Sequence, residues 1–379
     1  SETNNLTITA SETELNGIIG GTRTLGVMDI NGTLDLNAAI TNATSIDVSG
    51  TSNLGANVTT SGTQTYTGAV TLSTDVTLTT TDSNVTFSST MDGDGTARDL
   101  TIDTNGTTGT ILFDGLVGAN NDLDVITITG NLDLDAAISN TTSISVSGTS
   151  NLGANVTTSG TQTYTGAVTL SAATVTLTTT DSDVTFGSTI DSDAGQTRNL
   201  TIDTNGTIGT VLFGGLVSNN GTLGDITITG NLDLDAEISY TTSISVSGTS
   251  NLGANVTTSG TQTYTGNATI NGNRTLTTTN SNVTFSGTTN AASAGDTLTI
   301  AAGSGDVTFT GAVGGSTALG NTTITTGAFS AAAMTVQGTI DVTNTSASSI
   351  TGVIADGASA AILTKAGAGT LTLSGTNTY

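Results

Sequence analysis

The 379-residue chain contains no histidine, cysteine, proline or tryptophan, and these absences remove several classes of function. Without an imidazole or a thiol there is no Ser-His-Asp or Cys-His catalysis, no zinc site built on nitrogen and sulfur, and no disulfide framework. Basic residues are also scarce, since 5 Lys and Arg stand against 30 Asp and Glu, which gives a net charge of −25. This charge repels phosphate backbones, so we expect no nucleic-acid partner.

The composition that remains is that of an ordered β protein. Charged residues make up 9% of the chain and aromatic residues 3%, while 34% of residues are hydrophobic and 49 are glycine. Thr, Val and Ile are abundant, and β-branched residues favour strands and are depleted in disordered segments. No apolar run approaches the roughly 18 residues of a membrane-spanning helix, so we expect no direct membrane insertion in this segment.

A long internal repeat organises the chain. The string SGTSNLGANVTTSGTQTYTG occurs three times and places its tyrosine at Tyr66, Tyr164 and Tyr264, at spacings of 98 and 100 residues. A glycine within segments such as INGTLDL and ITGNLDL marks successive copies at Gly32, Gly130 and Gly230, and we place the fourth mark at Gly327. The predicted organisation is one continuous solenoid made of a partial repeat (1–31), three repeats (32–129, 130–229 and 230–326, the last with a diverged second half) and a partial repeat (327–379).

Within each copy, apolar residues alternate with polar ones over short runs, as at Leu132 and Leu134 or Val168 and Leu170. This alternation predicts short, half-buried strands. The copies join without linkers, the core candidates are small and aliphatic, and proline is absent, all of which favour a parallel β-solenoid. With three strands in roughly 20 to 25 residues per turn, and about 4.8 Å between turns, the chain would form a rod of about 75 to 90 Å. A linear array of β-sandwiches is the alternative fold.

The carboxyl-terminal segment LTKAGAGTLTLSGTNTY, residues 363–379, resembles the autotransporter-associated β-strand repeat. The internal segments GTQTYTGAVTL (62–72 and 160–170) and GSGDVTFTGAVGG (303–315) resemble the long repeats of filamentous-haemagglutinin-like adhesins of Gram-negative bacteria. The resemblance implies a right-handed parallel β-helix, secreted and displayed at the bacterial outer surface. Because SETNNLTITA has neither the basic nor the apolar region of a signal peptide, we expect the chain to be a segment of a longer protein.

These observations predict a non-enzymatic structural role. The expected function is a rigid stalk in a secreted surface adhesin or exoprotein, with a host or neighbouring cell surface as partner. The alternative is a self-assembling extracellular fibre or sheath subunit that polymerises through solenoid ends or edges. A polysaccharide-active β-helical enzyme is a third interpretation, and it is disfavoured because the candidate acids recur in every copy, whereas an active site is normally built once.

Acidic turns are the best candidates for a cofactor, which would be Ca²⁺. The candidate ligands lie in Gly-containing turns at equivalent places in two copies: Asp92 and Asp94 in MDGDG, and Asp191 and Asp193 in IDSDAG. Alternating carboxylates with a turn carbonyl can supply part of the six to eight oxygens that Ca²⁺ takes. Plain solvated turns are the alternative interpretation, and Arg98 and Arg198 are predicted to pair with a nearby turn acid.

Acids also lie on predicted strands, at Asp133 and Asp135 and again at Asp233 and Asp235. Because they alternate with leucines, their carboxylates should point outward and serve solubility and edge repulsion. The Asn-Gly pairs that begin at Asn105 and Asn205 predict turns with a positive φ.

The three repeated tyrosines are candidate glycan contacts. An outward-facing Tyr66, Tyr164 or Tyr264 could stack on a sugar ring and offer its hydroxyl as a hydrogen-bonding group. Packing of the same rings over a glycine-containing turn is the alternative.

Overall fold

The structure is a computed structural model that describes residues 4–379, and all of the paired strands in these residues run parallel. No helix occurs in residues 4–379, so the all-β prediction is confirmed. The strands stack as a β-solenoid of about 18 turns, and the alternative of a sandwich array is wrong. The chain divides into two compact units, Ser1–Ser188 and Thr189–Tyr379.

The strands of the first unit are short, and most have three to five residues. Their bounds are Leu6–Leu15, Leu25–Leu36, Ile40–Val48, Ser52–Leu54, Val58–Thr60, Gln64–Tyr66, Val70–Leu72, Val76–Thr79, Val85–Phe87, Met91–Gly93, Leu100–Asp103, Thr110–Phe113, Leu123–Thr129, Asn131–Leu134, Ile138–Val146, Ser150–Leu152, Val156–Thr158, Gln162–Tyr164, Val168–Leu170, Thr174–Thr178 and Val184–Phe186. The longest of them bend around a corner and contribute to two faces of the solenoid.

Three parallel ladders form the three faces of the first unit. Face one includes Ile30, Tyr66, Phe113 and Leu152, face two includes Leu36, Leu72, Val117 and Val156, and face three includes Ile40, Leu78, Ile128 and Tyr164. Along face one, successive register partners lie 18 to 26 residues apart, which is the length of one turn. The sequence predicted 20 to 25.

The second unit has the same architecture. Its strands are Ile190–Ser192, Thr197–Asp203, Thr210–Phe213, Thr222–Thr229, Asn231–Leu234, Ile238–Thr241, Ser243–Val246, Ser250–Leu252, Val256–Thr258, Gln262–Tyr264, Ala268–Ile270, Arg274–Thr278, Val283–Phe285, Thr289–Ala291, Leu298–Ala301, Val307–Phe309, Thr322–Thr326, Phe329–Ala331, Met334–Val336, Thr339–Asn344, Ser348–Ile350, Ile354–Asp356, Ile362–Ala366 and Leu371–Leu373. One ladder runs through nine of these strands, from Ile202 by way of Tyr264 and Phe309 to Leu373.

The core of each unit is built from tripeptides whose outer residues point inward. In Val70–Leu72 and Val85–Phe87, for example, the first and third residues are buried and the central Thr is half-buried at the surface. Burial of one such aliphatic side chain contributes about 1.5–3 kcal/mol relative to an exposed one. Since a single turn cannot bury its own inward residues, the stability of each turn depends on the turns stacked against it.

The repeat of about 98 residues does not equal a whole number of turns. Ile30 and its equivalent Ile128 are fourteen strand positions apart in the first unit, and fourteen is not a multiple of three. Ile30 and Tyr66 therefore lie on face one, whereas their equivalents Ile128 and Tyr164 lie on face three. This copy therefore advances the solenoid by four and two-thirds turns, and a given sequence position of the first unit lies on the neighbouring face one copy later.

The glycines that mark the copies share an unusual backbone conformation. Gly32, Gly130 and Gly230 have φ values of 148°, 152° and 147°, and a Cβ at Gly130 would lie 2.6 Å from Thr104 Oγ1. The same conformation recurs at Gly338, with φ 139°, within the segment VQGTIDV that matches INGTLDL. Gly327, where the sequence analysis places the start of the fourth copy, is not among the glycines with a positive φ.

Candidate functional site

Asparagine side chains connect successive turns at equivalent places in the three copies. The Oδ1 atoms of Asn57, Asn155 and Asn255 accept hydrogen bonds of 2.8, 2.8 and 2.9 Å from the backbone N–H groups of Thr77, Thr176 and Thr275. Each donor lies 20 or 21 residues further along the chain, which is one turn away. These bonds join backbone N–H groups within the strands Val76–Thr79, Thr174–Thr178 and Arg274–Thr278 to the preceding turn. The frequent Asn residues therefore have a structural role.

Aspartates make the same kind of connection. Asp82 Oδ1 accepts the N–H groups of Thr108 and Gly109 at 2.7 and 3.1 Å, and Asp99 Oδ1 accepts Val125 N–H at 3.1 Å. The backbone bonds from Thr108 and Gly109 hold the pKa of Asp82 below its ordinary value. Asp82 has a φ of 50°, and Asp tolerates this left-handed conformation better than most residues.

Two of the four predicted calcium ligands are acceptors of this type. Asp92 accepts Asn120 N–H at 2.9 Å and Asn121 N–H at 3.3 Å through Oδ1, and it accepts the Asn120 amide at 2.9 Å through Oδ2. Asp191 accepts the N–H groups of Asn220 and Gly221 at 2.9 and 3.1 Å. Both carboxylates are thus directed at N–H donors of the following turn.

The other two predicted ligands form ion pairs. Asp94 binds Arg98 through two hydrogen bonds of 3.1 and 2.8 Å, and Asp193 binds Arg198 through two of 2.6 and 2.9 Å. The arginine lowers the pKa of each aspartate, chiefly through these hydrogen bonds. The predicted pairing of Arg98 and Arg198 with turn acids is confirmed.

This donor set does not fit Ca²⁺. The acids of each turn face N–H groups or a guanidinium, which compete with a cation for the same oxygens, and Ca²⁺ requires six to eight oxygen ligands. No group of three or more Asp or Glu side chains within residues 4–379 is arranged to hold a metal ion. The carboxylates of Asp92, Asp94, Asp191 and Asp193 are thus engaged by groups of the chain itself, and this geometry disfavours Ca²⁺ at these turns.

The strand acids face the surface, as expected, and bind neighbouring asparagines. Asp133 Oδ1 accepts the Asn151 amide at 2.8 Å, and Asp233 Oδ1 accepts the Asn251 amide at 2.7 Å. Each pair lines a shallow depression of about 240 or 260 Å³ together with threonines and serines. The pKa of Asp135 is raised, mainly by desolvation and to a smaller extent by the negative charges of Asp133 and Asp114. The arrangement ties neighbouring strands together.

The repeated tyrosines lie inside the solenoid. Tyr66, Tyr164 and Tyr264 are 0% exposed, and burial raises the pKa of each. Their rings stack on the phenylalanine of the next turn, with ring centroids 4.9 to 5.6 Å apart. The prediction that they contact a glycan is therefore wrong, because the alternation of each QTY strand points the tyrosine inward.

A buried glutamine beside each tyrosine is a feature that the sequence analysis missed. Gln64 Nε2 donates to the carbonyl oxygens of Val58 and Thr79 at 3.1 and 2.9 Å, and its Oε1 accepts the Tyr66 hydroxyl at 3.2 Å. Gln162 and Gln262 repeat this arrangement, and all three glutamines are 0% exposed. The signal was the polar residue at an inward position of each QTY strand.

Tyr240 is the most exposed aromatic residue within residues 4–379. It is 68% exposed and has a φ of 54°, and the equivalent residues of the two earlier copies are Asn42 and Asn140. It borders a depression of about 270 Å³ whose other lining residues are Thr222, Thr241, Thr257, Thr258, Ser259 and Thr279. The sequence analysis missed this residue because it considered only the tyrosines that recur.

Comparisons with known proteins do not extend this picture. No protein-family model, curated protein or solved structure matches the chain. Residues 4–379 contain no helix long and apolar enough to cross a membrane. The geometry itself shows that the chain is a β-solenoid repeat protein.

Proposed function

We propose that the chain is a structural spacer in a secreted bacterial surface adhesin or exoprotein. The observation that supports this role is that the carboxylates of the turns bind groups of the chain itself. Asp82, Asp92 and Asp99 accept backbone N–H groups of the next turn, and Asp94 binds Arg98. Acids engaged in this way hold turns together, so we propose no catalytic role for them.

The mechanism of such a spacer is mechanical. In each unit, parallel ladders and the side-chain hydrogen bonds of Asn and Asp join successive turns, with about 4.8 Å between turns. Aliphatic tripeptides and the Tyr–Phe stacks fill the interior. The outward positions are mainly Thr, Ser, Asn and Asp. The net charge of −25 makes separate molecules repel one another and keeps them soluble.

The proposed location and partners rest on the resemblance of residues 363–379 and of the internal repeats to bacterial surface proteins. We place the chain outside the cell, at the bacterial outer surface, where it would hold other segments of its parent protein at a distance from the membrane. The opposing partner would be a host or neighbouring cell. A self-assembling fibre subunit is the competing role, and it differs by requiring contacts between identical chains.

Deletion of one complete copy within the first unit, residues 32–129, tests the spacer role. The deletion joins Asn31 to Gly130, and the sequence then continues with the same strand pattern, NLDLD. Removal of four and two-thirds turns should reduce the maximum dimension by about 22 Å, at about 4.8 Å per turn, in small-angle X-ray scattering of the full chain. A matched control deletes one turn, residues 132–149, because Leu132 and Ser150 are register partners, and it should remove about 5 Å.

The proposal is contradicted if the maximum dimension does not decrease in proportion to the number of turns removed. This conclusion requires that the circular dichroism of both variants remains that of β-strands. Such a result excludes a spacer whose length is set by repeat number. Light scattering on the same samples tests the competing role. Concentration-dependent polymers of defined width would support the fibre subunit instead.

A further inference from the structure

The corner of the second unit that carries Tyr240 differs from its equivalent in the first unit in a way that the fold does not require. In the earlier copy, Asn140 has a φ of 48°, and its side-chain amide donates to the carbonyl oxygen of Gly118 at 3.0 Å. Asn is well suited to this position, because it tolerates the left-handed conformation and its amide serves the neighbouring turn. Tyr240 keeps the same backbone conformation, with a φ of 54°, without either advantage.

The neighbouring turn has changed together with it. Gly118, with a φ of 69°, is replaced by Ser218, which is fully buried and has a φ of 62°. The Ser218 hydroxyl accepts Leu223 N–H at 2.9 Å, and its oxygen lies 2.6 Å from the Gly221 carbonyl oxygen and 3.1 Å from the Tyr240 carbonyl oxygen. Two residues other than glycine thus hold a left-handed conformation at one corner. Such strain is retained where the surrounding structure or a function requires it.

A second observation concerns the threonine next to Tyr240. Thr241 is 1% exposed and lines the depression, and no residue in the described part of the chain pairs with its hydroxyl oxygen. In the earlier copy the equivalent hydroxyl, on Thr141, donates to Ser139 O at 3.2 Å. A buried hydroxyl without a partner costs free energy unless another group binds it. The corner that gained an exposed aromatic ring therefore also has an unpaired hydroxyl.

The chemistry of the depression indicates what it would bind. Its lining is one aromatic ring with threonine and serine side chains, and it contains no charged residue. In the equivalent depression of the first unit, Asn140 and Asp122 are among the lining residues and no aromatic ring is present. A pyranose ring matches this set, because its C–H face packs on an aromatic ring and its hydroxyls pair with other hydroxyls. The net charge of −25 disfavours anionic sugars.

We propose that Tyr240, with Thr241 and the surrounding threonines, forms a binding site for a neutral carbohydrate. The depression of about 270 Å³ is close to the lower limit of small-ligand pockets, so it suits one or two sugar rings. A protein partner would need about 800 Å² of contact surface, far more than this depression offers. The site occurs once in the described chain, and it adds a recognition role to a spacer without depending on that role.

Saturation-transfer NMR on the full chain tests the site, with a panel of neutral methyl glycopyranosides of glucose, galactose and mannose as probes and N-acetylneuraminic acid as the anionic control. At least one neutral glycoside should receive magnetisation from the protein, and the anionic sugar should not. The Tyr240→Asn variant should bind that glycoside about tenfold more weakly, as expected when an aromatic stacking partner is lost. Tyr240→Phe should retain most of the binding, because the ring remains.

Two further variants separate binding from folding. Tyr240→Asn restores the residue found in the earlier copies, so a loss of binding in this variant cannot be attributed to unfolding. Thr241→Val removes the unpaired hydroxyl, which should weaken glycoside binding and leave the thermal midpoint equal or higher. No transfer to any neutral glycoside at millimolar concentration, or equal transfer in the wild type and in Tyr240→Asn, would overturn the proposal. Specific capture of a protein in place of a sugar would also overturn it.

Discussion

The buried pair of Gln162 and Tyr164 offers the sharpest test of how polar groups stabilise this core. Gln162 Nε2 donates to Val156 O at 3.1 Å and to Thr178 O at 2.9 Å, while its Oε1 accepts the Tyr164 hydroxyl at 3.3 Å. In Gln162→Leu the hydroxyl of Tyr164 loses its acceptor inside the core. A buried polar group left without a partner costs about 1–3 kcal/mol, and each lost hydrogen bond costs about 1 kcal/mol. We therefore expect a destabilisation of about 2–4 kcal/mol, partly offset by the apolar leucine.

The double variant distinguishes this reasoning from a simple packing effect. Tyr164→Phe alone should cost about 1–2 kcal/mol, because it leaves Gln162 Oε1 unpaired in the core. Replacement of both partners by apolar groups removes both unpaired atoms, so the double variant should be more stable than the sum of the single effects by about 1–2 kcal/mol. Chemical denaturation measures these changes in the free energy of unfolding. Amide hydrogen exchange shows whether the loss of protection is centred on the turn from Val156 to Thr178. Additivity within about 0.5 kcal/mol would refute the hydrogen-bond explanation.

Four other perturbations have defined outcomes. The pKa of Asp82 is lowered in the folded state, so its contribution to stability is present above the unfolded pKa and is lost as pH falls through the folded pKa. Asp82→Asn keeps the acceptor oxygen and should reduce the loss of unfolding free energy at acidic pH. An unchanged dependence of stability on acidic pH would contradict this role. Gly130→Ala should destabilise by about 1–3 kcal/mol, because φ is 152° and the Cβ would meet Thr104; a neutral result in thermal denaturation would show that the turn relaxes freely. Tyr240→Asn should stabilise by about 1 kcal/mol through relief of left-handed strain, and a lower melting temperature would refute that account. Addition of EDTA should leave the melting temperature unchanged, whereas a fall would restore the calcium hypothesis.

The architecture was predictable from the sequence because it depends on local alternation. Leu132 and Leu134 occupy one side of their strand and Asp133 the other, and this pattern alone assigns the inward residues. The pairing of Arg98 with a turn acid was also predictable, because its partner Asp94 lies only four positions away in the same turn.

The errors arose where the outcome depends on distant residues. Gln64 can be buried only because the carbonyl of Thr79, fifteen residues away in the next turn, accepts its amide, and no local pattern announces this contact. The same glutamine holds the Tyr66 hydroxyl, which is why the tyrosine tolerates the interior. Turn length varies from 18 to 26 residues, so spacing alone does not distinguish Gly327 from Gly338 as the start of the fourth copy.

The mismatch between the repeat and the turn determines how the first unit presents its surface to a partner. The link between Asp35 and Asn53 lies on face two, whereas the equivalent link between Asp133 and Asn151 lies on face one. A flat partner that lies along one face of this unit therefore meets only one of the two equivalent sites. A repeat of whole turns would align them in a row and provide avidity. In this unit, duplication of the repeat has produced two equivalent sites, but each face of the solenoid presents only one of them.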